Sequence, residues 1–212
     1  MSAAAPQTTT TSTSENIKFP VNDSIKFDQA LKVEGLGKKL KEFNLNQDET
    51  TKLSESEVGV ILGIAKGLVR LSDENFSTLM KISKWKTSEI FPLLDILRFK
   101  CVKNSFENVN QVQQVVKLFE NNLKQDYNVN AMLAVRGLVN MIQNPEWRSY
   151  ITDEIITKML DLLPTEHTNL EISISSYLVT ISILQQNIKS LDTCILIASS
   201  LVLQVCTFLL LT

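Results

Sequence analysis

Trp85-Lys86-Thr87-Ser88-Glu89-Ile90-Phe91-Pro92-Leu93-Leu94-Asp95-Ile96-Leu97-Arg98 is the stretch whose reading decides the fold. Pro92 has no backbone N–H to donate and holds φ near the helical value, so it suits the first turn of a helix. Leu93, Ile96, Leu97 and Lys100/Cys101 follow at helical spacing, giving one apolar stripe with Asp95 and Arg98 off it. Trp85 and Phe91 are expected to plug the junction and seat this helix on its predecessor. The pattern reads as a buried helix start in an all-helical domain.

The rest of the chain is consistent with that reading. Its 212 residues suffice for one domain with a substantial core. A net charge of −2 gives no global argument for nucleic acid, which calls for a strongly basic domain. Cys101, Cys194 and Cys206 lie in apolar patterns without a C-x-x-C pair, so they read as small buried hydrophobes in a reducing compartment. Residues 1–16 are rich in Ala, Thr and Ser, with neither a basic start nor an apolar run; they read as a disordered tail, not a signal peptide. A cytoplasmic or nuclear location is the default.

From Ile17 to Ala30 the pattern Ile17, Phe19, Ile25, Phe27, with Asn22-Asp23 as a turn signal, predicts an extended arm or short hairpin laid on the domain. Helical spacing then takes over. Leu36, Leu40 and Phe43 share a face, and Lys38, Lys39 and Lys41 read as a solvated flank or an acidic-partner patch. Ser54-Glu55-Ser56-Glu57 is a capping box opening a helix with Ile61, Ile64 and Leu68. In that helix Gly59, Gly63 and Gly67 recur every four residues. Glycine costs a helix about 1 kcal/mol relative to alanine, so close approach of a neighbouring helix is the expected compensation.

Further stripes run through Phe76, Leu79, Met80 and Ile82, then Val112, Val115, Val116, Phe119 and Leu123, then Ala131, Val135, Leu138, Val139 and Ile142. Thr152 is expected to cap a helix carrying Ile155, Ile156 and Met159. Residues 170–184 are β-branched, but Leu170, Ile174, Leu178 and Ile181 favour helix. A Leu-x-φ-x-Arg pattern occurs at Leu94–Arg98 and, one residue shorter, at Leu133–Arg136, and helix ends fall near Asn104, Asn144 and Asn187. A period of about 40 residues is that of armadillo and HEAT arrays. Residues 193–212 carry no charge. They read either as a core helix of a further repeat or as a tail anchor preceded by Lys189.

Catalytic and metal-binding patterns are absent from the sequence. The single histidine, His167, has no acid or cysteine at readable spacing, and no phosphate-binding loop or Cys/His metal spacing occurs. An enzyme using Cys101 or His167 would need the two to share a cleft.

Phe19-Pro20, Phe27-Asp28-Gln29-Ala30, Gly37-Lys38-Lys39-Leu40-Lys41-Glu42-Phe43-Asn44, Trp85 with Phe91–Arg98, and Leu133-Ala134-Val135-Arg136 together resemble the PUL domain. This is the C-terminal domain of phospholipase A2-activating protein and its fungal ubiquitin-pathway relatives. The resemblance covers about residues 17–190 and implies an all-α, armadillo-like array that binds without catalysing and needs no cofactor. It also implies a partner: the C-terminal tail of the hexameric AAA segregase (valosin-containing protein), held in a basic concave groove and linked to ubiquitin turnover. Arg136 and Arg98 match family blocks and are the expected groove residues, with Arg148 and Lys189 added as neighbouring cations. Trp85, Phe91, Pro92 and Asp95 are expected to be structural. The family domain continues for further helices, whereas this sequence turns apolar after about residue 201, as in a shortened array. The alternative is a tail-anchored protein whose helical domain recruits partners to a membrane.

Overall fold

The computed structural model describes residues 25–163 and 165–184. Among them are eight α-helices and no strand: α1 (Val33–Leu45), α2 (Glu55–Lys66), α3 (Asp73–Met80), α4 (Phe91–Val102), α5 (Val109–Asn121), α6 (Asn128–Met141), α7 (Asp153–Leu160) and α8 (Thr168–Leu184). Short 3-10 turns precede α4, α6 and α7. The expected arm is present from residue 25 to 32 as irregular chain. Asn22-Asp23 and the proposed hairpin turn lie outside the described residues.

The array is built on α4, α6 and α8, which stack side by side, with α6 in the middle. Burial explains why these three helices lack clear amphipathicity. Leu93, Leu94, Ile96 and Leu97 of α4 are all fully buried, as are Ala131, Ala134, Val135, Leu138 and Val139 of α6. A helix enclosed on several sides reads as continuously apolar. Leu170, Ile174, Leu178 and Ile181 of α8 pack into the same core, so the locally β-branched segment is helical because its stripe has a surface to cover. By contrast, α5 covers α6 from one side and keeps a clean stripe of Val112, Val115, Val116 and Phe119. At the other end, α1 packs on α2, α2 on α3, and α1 on α4.

Local signals in the sequence set several of the helix ends. Ser54 and Glu57 form the reciprocal capping box: each side chain meets the other's backbone N–H. After α4, Asn104 adopts a left-handed conformation (φ 48°), and the Ser105 N–H returns to the Lys100 carbonyl at 3.3 Å. Asparagine tolerates this conformation better than most residues. Thr152 does stand at the N-terminus of α7, but its side chain makes no capping hydrogen bond.

The glycine strip of α2 is not a helix-crossing surface. Gly67 is the left-handed C-cap (φ 76°), and Gly63 makes room for Val69 of the chain that follows. Among the described residues, a Cβ at Gly59 would meet nothing within 4 Å. The close approaches are made by Gly37, whose Cβ would lie 3.3 Å from Leu62, and above all by Gly137. A Cβ at Gly137 would lie 2.3 Å from Cζ of the fully buried Phe119. Gly137→Ala is therefore expected to destabilise the protein by about 1–2 kcal/mol in urea unfolding, overpacking outweighing the gain in helix propensity. An unchanged midpoint would mean that the Phe119 ring moves aside freely.

Trp85 and Phe91 seat α4, with contacts that reach α1 and the loop after it. The Trp85 indole N–H donates to the Thr51 carbonyl at 2.9 Å, in the loop between α1 and α2. Phe91 meets Phe43 of α1 edge-on, with ring centroids 5.6 Å apart. Pro92 occupies the first turn of α4 as expected.

Candidate functional site

The N-terminal arm lies across the exposed edges of α4 and α6, held by polar side chains that spend themselves on its backbone. Asn140 of α6 accepts from the Phe27 N–H at 2.8 Å and donates to the Phe27 carbonyl at 3.1 Å and to the Arg98 carbonyl at 3.1 Å. Gln143, one turn later, donates to the Ile25 carbonyl at 3.0 Å. Arg98 of α4 donates to the carbonyls of Phe27 and Gln29, and its Nε to Asp95 at 2.7 Å. Arg98 is 5% exposed. Its fork geometry lets one side chain serve three acceptors in different directions. Arg98 therefore fastens the arm, with Asp95 as its charge partner, and its guanidinium is fully committed inside the fold.

Arg136 sits at the corresponding place on the next helix of the stack but is differently engaged. Its Nε donates to the Ser173 hydroxyl of α8 at 3.0 Å, and its guanidinium carbon lies 4.9 Å from the centroid of the Phe27 ring. No carboxylate pairs with it among the described residues. Partial burial, then the neighbouring Arg98 charge, pull its ionisation below the ordinary arginine value, with Asp95 opposing. Arg136 is thus a half-buried cation with no carboxylate paired to it among the described residues. The arm, α4, α6 and α8 together form the wall around it.

Arg148, the further expected groove residue that is described, makes its contacts elsewhere. Arg148 follows α6 and donates to the Ile142 carbonyl at 2.7 Å and the Leu184 carbonyl at 3.4 Å, where it satisfies the ends of two helices. Lys189 lies outside the described residues, as do Cys194, Cys206 and the uncharged stretch 193–212. Among the described residues no helix is long and apolar enough to cross a membrane. Cys101 is buried, and desolvation pushes its thiol far above the ordinary range, which leaves essentially no thiolate. His167 accepts the Leu170 N–H at Nδ1 (3.2 Å), as a cap on the start of α8.

Asn140 and Gln143 were not singled out in the sequence. The available signal was an asparagine following the apolar run Leu138-Val139 in the last turn of a mostly apolar helix, a position that demands buried partners.

Helices stacked in register around an edge-bound extended segment define a helical-repeat module for protein interaction. The chain belongs to the PUL domain family, whose model matches residues 19–206. It is also similar to phospholipase A-2-activating protein from Xenopus laevis, at 25% identity over 200 residues, covering 86% of this chain and 24% of the relative. The chain thus spans about a quarter of the length of the curated relative it matches. The PUL match takes in residues 193–206, most of the uncharged stretch.

Proposed function

We propose that this PUL domain is an adaptor that binds the acidic C-terminal tail of the AAA segregase (valosin-containing protein), linking it to ubiquitin-dependent protein turnover, with Arg136 as the anchoring cation. The observation that carries the reading is the state of Arg136: half-buried, stacked on Phe27, and without a carboxylate among the described residues. Such a cation has already incurred much of its desolvation cost in the free protein. An incoming carboxylate therefore gains a charge-assisted hydrogen bond at less than the usual expense, and arginine presents the fork that suits a carboxylate. Family membership and the relative's PUL domain support the class of function. Arg98 contributes by positioning: it holds Phe27 where the Arg136 guanidinium stacks.

Fluorescence anisotropy with a labelled peptide of the segregase tail tests the proposal. Binding is expected to weaken with added salt, and Arg136→Glu to reduce affinity by about 30-fold or more, corresponding to a loss of about 2 kcal/mol. A folded Arg136→Glu protein that binds as tightly as wild type would refute the assignment.

A further inference from the structure

A recess lies between α1, the loop that follows it and α2, lined by residues distinct from those around Arg136. A cavity of about 650 Å³ opens between the C-terminal half of α1, the loop that follows and the first turns of α2. A smaller one of about 320 Å³ continues toward the start of α1, and the two share Lys41 and Leu62. Together they make one groove along the helix pair. Its apolar part is Leu45, Val58 and Leu62, and Leu45 is 76% exposed.

Charge along this groove is one-sided. Lys38, Lys41, Lys52 and Lys66 line it, against Glu34 and Glu55. Lys38 is offset by Glu34 at 3.2 Å and Lys52 by Glu49 at 3.5 Å, both exposed pairs of the kind that yields readily to a better partner. Lys41 and Lys66 have no carboxylate within 4.0 Å among the described residues.

Gly59 lies in the groove lining, inside α2. Glycine weakens a helix there, and no packing within the described residues requires it, because a Cβ would meet nothing within 4 Å. The missing side chain leaves a seat in an apolar, lysine-rimmed channel.

From this geometry we propose that the α1–α2 groove binds an acidic amphipathic helix of a partner protein. Apolar residues spaced i, i+3/i+4, i+7 enter between Leu45 and Leu62 and over Gly59, and flanking glutamates or aspartates meet the lysines. The 13 residues of α1 give a track of about 20 Å, which suits a helix of three to four turns.

The test is anisotropy with the full 212-residue chain. The probe is a fluorescein-labelled synthetic helix of about 18 residues with leucines at that spacing and glutamates on both flanks. A matched peptide has lysine in place of every glutamate. The acidic peptide is expected to bind in a salt-sensitive manner, and the lysine peptide at least about tenfold more weakly. Lys41→Glu should weaken the acidic peptide about tenfold, and Gly59→Leu, whose Cβ would meet no described residue within 4 Å, should abolish its binding. Lys124→Glu, an equal charge change beyond α5, should leave it within about twofold. Gly59→Leu is expected to melt no lower than wild type, so lost binding cannot be lost folding. Binding of the segregase tail peptide should be unaffected by Gly59→Leu, which separates this site from the Arg136 face. The proposal is overturned if the acidic peptide does not bind, if the lysine peptide binds equally well, or if Lys41→Glu and Gly59→Leu leave affinity unchanged.

Discussion

Trp85→Ala is expected to lower the unfolding free energy by about 4 kcal/mol in urea titration, the upper range for large-to-small core substitutions. Trp85 is 5% exposed and packs in the same core as Leu53, Ile82 and Ile90. Its indole N–H also ties the α1–α2 loop through the Thr51 carbonyl. Truncation removes the ring's apolar burial and leaves a cavity where rigid segments converge, so relaxation can recover little of the loss. Trp85→Phe separates the two contributions. It keeps most of the buried ring volume and loses the hydrogen bond to the Thr51 carbonyl, so a cost of about 1–2 kcal/mol is expected. Equal losses in the two variants would place the importance of Trp85 in the hydrogen bond and not in packing.

Arg98→Met is expected to cost about 3 kcal/mol and to free the arm. Methionine retains the apolar stem of the side chain but ends where the guanidinium begins and has none of its donors. Asp95 then loses its charge partner, and the carbonyls of Phe27 and Gln29 lose a donor. Breaking a buried pair from one side is costly because the remaining group stays desolvated. Asp95 keeps some access to water, which holds the figure below the extreme for such pairs. Arg98→Lys should rescue little of this, since an ammonium cannot serve three acceptors placed around a planar fork. Hydrogen exchange should rise at the Phe27 amide in Arg98→Met. If stability falls while that amide stays protected, then Asn140 alone holds the arm. Tail binding should weaken in the same variant, although Arg98 does not face the ligand, because Phe27 would no longer be fixed beneath Arg136.

Much of the site was legible only as residue types. Arg136 and Arg98 stood out because each follows a leucine stripe in a repeated block, and both do lie on stacked helices of the array. Nothing in that spacing distinguishes their states. Arg98 is enclosed because an arm segment 71 residues earlier in the chain supplies carbonyls for it. Arg136 meets the Ser173 hydroxyl of α8 and the Phe27 ring, and no carboxylate pairs with it among the described residues. Arg148, added to the groove without a motif, donates to the Ile142 and Leu184 carbonyls. The glycine strip illustrates the same gap: a four-residue period in α2 covers a left-handed cap, a seat for Val69 and an empty position, while the tight crossing falls at the unremarked Gly137.

What the sequence by itself determined was local and periodic. Helical spacing of apolar residues set the all-α class, Pro92 the start of α4, and Ser54 with Glu57 the start of α2, because each depends on groups within a turn or two of one another. Only the tertiary structure decided which helices stack, where the arm lies, and how differently Arg98 and Arg136 are engaged. Those outcomes depend on buried polar groups finding partners 40 to 113 residues away, as Asn140 does with Arg98 and Phe27. Desolvation makes such pairings obligatory once the helices pack, and no local spacing records them.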